Sequence, residues 1–146
     1  MLRVIQIFIL TIVVFANGFQ NENARKIESL ILSEISTVLL GKAKIKVFLT
    51  DNMKYILKYS KILIPVQTCR EAELVIAGEK IKTDDCRGKL MVVTKYYLIK
   101  QYNEAVAAFY WHKGRPNIIF IYERLKKFDI KLPDRYYKYI DSEKNL

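Results

Sequence analysis

The fold of this chain is decided by two short apolar runs, Leu74-Val75-Ile76-Ala77 and Leu90-Met91-Val92-Val93. Neither run alternates with polar residues, so neither predicts a strand that has one face in solvent. Unbroken apolar strands are typical of a parallel sheet that helices cover on both faces. These two runs therefore predict two strands of such a sheet, and the flanking segments predict the elements around them.

The residues before the first run predict a long helix. Residues 23–40 carry apolar side chains at helical spacing, with Asn23 as the N-cap and Gly41 just past the C-terminal end. The predicted buried stripe consists of Ile27, Leu30, Ile31, Ile35, Val38 and Leu39. The predicted solvent side includes Arg25, Lys26, Glu28, Ser29, Ser33 and Ser36.

Three short elements follow that helix in the sequence. Residues 44–49 alternate as a strand with one buried face does. Thr50 or Asp51 can cap a short helix that turns Met53, Ile56 and Leu57 inward. Residues 62–64 predict an edge strand or a strand end, because Pro65 stops the run.

The residues after the second run predict a hairpin and short helices. Tyr96–Tyr102 predicts one or two helical turns. Residues 105–111 and 117–121 predict two strands, joined by a five-residue turn at 112–116 that contains Gly and Pro. Residues 123–128 and 134–140 predict short helices, with Asp134 as the cap of the second. The whole order predicts one three-layer α/β domain with a mixed, largely parallel sheet and a C-terminal hairpin plus short helices.

The first eighteen residues predict export. Arg3 is a positively charged start, residues 4–15 are mostly apolar, and Ala16-Asn17-Gly18 is a small-x-small cleavage site. An apolar run of about 12 residues is too short for a bilayer core of about 30 Å. We interpret residues 1–18 as a signal peptide and residues 19–146 as a periplasmic domain without stable membrane insertion. The alternatives are an uncleaved anchor and a buried helix.

The formal net charge of +10 comes mostly from lysines spread singly along the chain. We interpret them as a solvated basic surface, and the alternative is an anionic partner such as a membrane face or an acidic protein. Tyr136, Tyr137 and Tyr139 could stack on bases, but Tyr136 and Tyr139 share a helical face with Ile140 and are predicted to dock on the sheet. The sequence therefore predicts no nucleic-acid partner.

Cys69 and Cys86 are the only cysteines. An even count in an exported protein favours a disulfide, with two free thiols or a functional thiol or metal site as alternatives. Both cysteines precede apolar runs, so their sulfurs come within bridging range if those strands are neighbours. A zinc site needs more ligands than these two thiols and His112 provide, and no metal or other cofactor is predicted.

No catalytic set is predicted. His112 is the only histidine, and no nucleophile can be assigned to it from the sequence. No glycine-rich phosphate loop occurs in the chain. We therefore expect a protein that is not an enzyme.

The candidate binding site is the predicted turn. Trp111 and the three basic-capable side chains His112, Lys113 and Arg115 form an aromatic and cationic patch, which suits an anionic ligand or an acidic protein. The alternative is a structural hairpin. In that case Arg115 attaches the hairpin to the terminal helices through Asp129 or Asp134, while Lys113 stays exposed at the tip.

Three segments carry a resemblance to a known family. They are C-R-E-A-E-L-V-I-A at 69–77, K-L-M-V-V-T at 89–94, and the strand, turn, I-x-F strand and helices of 105–140. Residues 69–140 resemble the YfiR-like family of small periplasmic proteins that regulate membrane-bound diguanylate cyclases. The resemblance implies an exported, non-catalytic regulatory module that contacts a membrane-anchored signalling protein. The alternative function is a periplasmic domain that binds a small ligand, such as an anion.

Overall fold

The computed structural model describes the backbone of residues 2–83 and 85–146, and the side chains of residues 21–83 and 85–146. Seven strands form one sheet in the spatial order β2-β1-β3-β4-β5-β6-β7. They are β1 Ile45–Leu49, β2 Leu63–Pro65, β3 Leu74–Ala77, β4 Met91–Val93, β5 Ala105–His112, β6 Arg115–Ile121 and β7 Ile140–Asp141. Strands β1 to β5 run parallel, β6 is antiparallel to β5, and β7 is parallel to β6. The predicted α/β fold with a mixed, largely parallel sheet is confirmed.

Helices cover both faces of the sheet. The α-helices are α1 Leu2–Leu40, α2 Tyr96–Gln101 and α3 Tyr122–Lys127, and the 3₁₀ helices are Asp51–Lys58, Cys69–Glu71, Asp134–Tyr139 and Glu143–Asn145. Helix α1 packs on one apolar cluster and α2 on the other. The helical turns predicted at Tyr96–Tyr102 and the two predicted C-terminal helices are confirmed within one residue at each end. The N-cap of the helix Asp134–Tyr139 is Pro133, so the predicted cap Asp134 is wrong.

The two apolar runs form strands that are covered on both faces, as predicted, and they lie side by side inside the sheet. Leu74 and Ile76 of β3 belong to the cluster under α1, whereas Val75 and Ala77 belong to the cluster under α2. All four side chains are fully buried. The short strand β2 lies at one border of the sheet, which confirms the edge position predicted from Pro65.

The buried face of α1 differs from the predicted stripe. Ser29 and Ser36 are fully buried, while Ile27 and Leu30 are 44% and 53% exposed. The Ser29 hydroxyl donates to the Ile56 carbonyl oxygen at 2.7 Å. Because serine is small and its hydroxyl finds a backbone acceptor, α1 can approach the 3₁₀ helix Asp51–Lys58 closely. This packing rotates two larger apolar side chains toward solvent.

Helix α1 also does not begin at Asn23, since it extends without interruption from Leu2 to Leu40. Gly41 ends it with a φ of 63°, in the left-handed region that glycine adopts easily, as predicted. The predicted signal peptide lies outside the residues whose side chains are described. No helix in the described part of the chain is both long enough and apolar enough to span a bilayer.

The hairpin has a tighter turn than the predicted five residues. His112 pairs with Arg115, and Trp111 pairs with Pro116, so only Lys113 and Gly114 form the turn. Both have positive φ, 50° and 73°, as the two central residues of a type I′ turn do. Strand β6 tolerates proline because β7 pairs only with its last two residues, which leaves the outer side of Pro116 without a partner strand.

Crosslinks hold the amino edge of the sheet, the edge where the parallel strands begin. Cys69 and Cys86 form a disulfide with their Cα atoms 4.9 Å apart, which confirms the predicted bridge before neighbouring strands. The Lys89 ammonium donates to the carbonyl oxygens of Arg70 and Ala72, both at 2.9 Å. These contacts fix the segments that lead into β3 and β4.

Arg124 of α3 forms a third crosslink at the amino edge. Its guanidinium donates to the carbonyl oxygens of Ile99, Tyr102 and Ala105 at 2.6, 2.9 and 3.0 Å. It also pairs with the Glu143 carboxylate at 3.0 Å. Arg124 is 2% exposed, so a fully buried cation joins α2, β5 and the C-terminal segment.

Candidate functional site

The carboxyl edge of the sheet, where the parallel strands end, contains the topological switch point. From β1 the chain crosses to β2 on one side, and then to β3 on the other side of β1. In open α/β sheets, ligands bind outside the carboxyl ends of the strands where the strand order reverses in this way. The residues that follow these strands here are Thr50 after β1, Gly78 after β3 and Thr94 after β4.

Thr50, Asn52 and Gly78 form a closed hydrogen-bond network at this point, and we call these three residues the floor of the site. The Gly78 amide donates to Thr50 Oγ1 at 2.9 Å, and that hydroxyl donates to Asn52 Oδ1 at 2.8 Å. The Asn52 side-chain amide donates back to the Gly78 carbonyl oxygen at 2.8 Å. A Cβ at Gly78 would lie 2.6 Å from Met53 Sδ, so only glycine fits without displacement. The floor is therefore tightly packed and fixed in position.

A cleft of about 930 Å³ opens between this floor, α1 and the end of β5. Five aromatic side chains line it, and they are Tyr55, Tyr96, Tyr97, Tyr110 and Trp111. Its charged or titratable side chains are Arg25, Glu28, Lys95 and His112. The cleft thus combines apolar ring faces with charges of both signs.

The aromatic rings hold one another in place. Tyr96 and Tyr110 meet edge to face with ring centroids 5.3 Å apart, and Trp111 meets Phe109 in the same way at 5.6 Å. Phe109 is fully buried, whereas Trp111 is 38% exposed. Such pairs are favourable beyond their buried area, and they keep ring faces accessible in a defined orientation.

The charges of the cleft differ in depth. Glu28 is 8% exposed, and its carboxylate accepts a long hydrogen bond of 3.5 Å from the Trp111 indole N–H. Among the described residues, no lysine, arginine or histidine forms an ion pair with it. Lys95 and His112 are exposed at the rim. The cleft therefore has a buried negative group and an exposed positive border.

Tyr55 lies between the Glu28 carboxylate and the Arg25 guanidinium. Burial, followed by the neighbouring Glu28 carboxylate, raises the pKa of its hydroxyl, which stays neutral at physiological pH. The Arg25 guanidinium lies over the Tyr55 ring, 4.9 Å from its centroid. Arg25 thus stacks on an aromatic face and leaves Glu28 without a bound cation.

The structure separates the four predicted binding residues into two pairs. Trp111 and His112 line the cleft, whereas Lys113 and Arg115 do not contribute to its wall and are exposed at the hairpin tip. Within the described residues Arg115 forms no ion pair, so the predicted attachment to Asp129 or Asp134 is wrong. The two-residue turn directs its side chain into solvent.

Sequence reasoning missed the part of the cleft that α1 contributes. Glu28 and Arg25 were placed on the solvent side of the helix, and no local pattern distinguishes them from ordinary surface charges. Asn52, Thr94 and Lys95 could have been found, because each follows a predicted strand, at the edge where parallel strands end.

One group of possible metal ligands occurs among the described side chains, formed by Cys69, Asp85 and Cys86 within 4.8 Å of one another. Both sulfurs belong to the disulfide, so this group has no thiolate to offer a metal. Comparison of the chain with family models, curated proteins and solved structures finds no match.

Proposed function

We propose that this chain is an exported, non-catalytic binding module whose ligand occupies the cleft at the carboxyl edge of the sheet. One observation carries the proposal: a fixed floor at the topological switch point supports a cleft with accessible ring faces and charges of both signs. Ligand sites commonly combine an apolar lining with a few convergent polar groups. The disulfide supports an oxidising compartment such as the periplasm.

Thermal-shift screening of small anions, cations and zwitterions tests this function. A ligand at 100 times its dissociation constant stabilises the native state by about 2.7 kcal/mol, and so raises the melting temperature. We expect a ligand that stabilises the protein and the Tyr137→Ala variant but not the Trp111→Ala variant. Tyr137 is the matched control, because it is 50% exposed and lies outside the cleft. Stabilisation that survives Trp111→Ala unchanged would place the ligand elsewhere.

A second candidate function follows from the resemblance to YfiR-like proteins. In this proposal the chain regulates a membrane-anchored signalling protein such as a diguanylate cyclase. The exposed Ile27 and Leu30 side chains support it, because they form an apolar patch on α1. Arg25 and Glu28 of the same helix line the cleft. Ligand binding could therefore be coupled to the partner through α1.

Co-purification from membranes tests the regulatory function. We expect the chain to recover an inner-membrane protein with a cytoplasmic signalling domain, and the variant Ile27→Asp/Leu30→Asp to lose it. Ile64→Asp is the control, since Ile64 is exposed to nearly the same extent as Ile27, 43% against 44%, but lies on the edge strand β2. Equal recovery by all three proteins would contradict a contact through α1.

A further inference from the structure

The Glu28 carboxylate is the most informative group in the cleft. It is more than nine-tenths buried, and its partners, the Trp111 indole at 3.5 Å and the Tyr55 hydroxyl, are both neutral donors. Burying a carboxylate without a counter-charge is costly, because the interior replaces its hydration poorly. A ligand that brings a positive N–H donor would supply the missing partner, through charge-assisted hydrogen bonds.

The aromatic lining of the cleft favours the same kind of group. Trp111 meets the carboxylate through its N–H edge, and Arg25 already lies over the Tyr55 ring. The exposed aromatic rings that line the cleft are those of Tyr96, Tyr97 and Trp111. Aromatic faces attract ammonium groups, most strongly in sites that exclude water. The cleft thus combines a buried carboxylate with accessible rings, the two features that recognise an organic ammonium.

The rim of the cleft favours the opposite charge. Lys95 is exposed there, and Arg25 reaches over the Tyr55 ring. A ligand with only a positive charge would be repelled by these two side chains, and a ligand with only a negative charge would leave Glu28 without a partner. The separation of the charges by depth therefore selects a molecule that carries both.

We infer that the cleft binds a small zwitterion with a flat apolar body, its ammonium group at Glu28 and its acidic group toward Lys95 and Arg25. This inference rests on the proposed function of the cleft as a ligand site. The body of the ligand stacks against the exposed rings, with Trp111 and Tyr97 as the most accessible faces. The acidic group is a carboxylate or a phosphate, since both accept from lysine and arginine.

A matched set of three probes tests the inference by titration calorimetry at neutral pH. The probes are 4-(aminomethyl)benzoate, which has both charges, benzylamine, which has the ammonium alone, and benzoate, which has the carboxylate alone. We expect the zwitterion to bind at least tenfold more tightly than either single-charge probe. Equal or tighter binding of benzoate or benzylamine would overturn the inference, and so would the absence of binding by all three.

Two charge-neutralising variants locate the groups. Glu28→Gln should weaken binding of the zwitterion and of benzylamine at least tenfold and leave benzoate unaffected or improved. Lys95→Gln should weaken the zwitterion and benzoate and leave benzylamine unaffected or improved. Lys113→Gln is the control, because it removes the same charge from the exposed hairpin tip outside the cleft. If Lys113→Gln weakens binding of the probes as much as Lys95→Gln does, the acidic group of the ligand does not lie at Lys95.

Failure of this inference is distinguishable from failure of the proposed function. If another ligand stabilises the protein in a Trp111-dependent manner while the three probes do not bind, the cleft is a ligand site for a different chemical class. If no compound gives Trp111-dependent stabilisation, the cleft itself is not the site. The probe comparison uses the unaltered protein, so it remains decisive even if a variant fails to fold.

Discussion

Arg124 and Glu28 are the two charged side chains that are buried in the described part of the chain, and they lie at opposite edges of the sheet. Arg124, at the amino edge, donates to three backbone carbonyl oxygens and pairs with Glu143. Glu28, at the carboxyl edge, accepts a long hydrogen bond from the Trp111 indole and interacts with the Tyr55 hydroxyl, but it has no ion pair among the described residues. Burying a charge costs free energy at both residues, and this cost is offset by charged and backbone partners at Arg124 but only partly offset at Glu28.

This difference separates a structural charge from a functional one. A buried cation with all its partners inside the protein stabilises the fold, and removing it leaves acceptors unpaired. A buried anion that lacks a counter-charge destabilises the free protein slightly and favours a ligand that supplies one. The amino edge is therefore the stable part of the molecule, and the carboxyl edge is the part suited to recognition.

The largest effect is expected from Arg124→Met. Methionine fills part of the volume but removes the guanidinium donor from the carbonyl oxygens of Ile99 and Ala105, while the Tyr102 oxygen keeps the Ala105 amide as a donor. Leaving one buried carbonyl oxygen unsatisfied costs about 1–3 kcal/mol, so two of them cost about 2–6 kcal/mol, whereas Glu143 is 41% exposed and can return to water. Urea denaturation should show a loss of that size, and Arg124→Lys should lose less, because it keeps the charge but not the forked donors. A loss below about 1 kcal/mol would contradict the structural role.

Removing the disulfide should have the next largest effect. Cys69 and Cys86 are 17 residues apart in the sequence, and closing a loop of that length restricts the unfolded chain by about 3 kcal/mol. Cys69→Ala/Cys86→Ala should lower the free energy of unfolding by about this amount under oxidising conditions. Alkylation and mass measurement of the exported protein check the bond directly. Two modified thiols without prior reduction would show that Cys69 and Cys86 are not bonded to each other.

A smaller effect is expected at the cleft floor from Gly78→Ala. The added Cβ would lie 2.6 Å from Met53 Sδ and 2.7 Å from Asn52 Oδ1, so the floor must shift. Inserting a methyl group into a packed site costs about 1–3 kcal/mol. Thermal melting should show this loss, and Gly78→Ala combined with Met53→Ala should lose less than the sum of the two single variants. Simple additivity would show that Met53 does not restrict this position.

Much of the fold could be predicted from the sequence because the central strands are unambiguous. The runs at 74–77 and 90–93 lack polar residues, and burial on both faces follows from that alone. The disulfide was predicted from the even cysteine count, and its geometry depended on these two strands being neighbours, as they are. Helix α1 was predicted less well, since Ser29 and Ser36 are polar but small enough to be buried when a backbone carbonyl accepts from each hydroxyl, that of Ile56 for Ser29 and that of Leu32 for Ser36. Hydrophobic periodicity cannot detect a buried helix face that consists of small polar residues, because those residues allow a neighbouring element to pack closely without being apolar.

The cleft was predicted only in part, because it is assembled from distant segments. Trp111 and His112 were singled out for their local aromatic and basic composition, and they do line the cleft. Glu28 comes from a helix 83 residues away from Trp111 in the sequence. Its burial depends on how α1 packs, and a single sequence contains no direct signal of that packing.

The smallest effect on stability is expected from Glu28→Gln, and its sign tests the comparison with Arg124. Glutamine keeps the shape and an acceptor for the Trp111 indole but removes a buried charge that has no ion-pair partner among the described residues. Arg115→Gln serves as the exposed reference and should change the free energy of unfolding by no more than about 0.5 kcal/mol. Glu28→Gln should stay within the same range or stabilise the protein, because a neutral amide is easier to bury than an unpaired carboxylate. Urea denaturation of both variants measures this.

A loss above about 2 kcal/mol for Glu28→Gln would be the size expected for a broken buried hydrogen bond to a charged group. The carboxylate would then stabilise the fold as Arg124 does, and its role in binding a ligand cation would lose its physical basis.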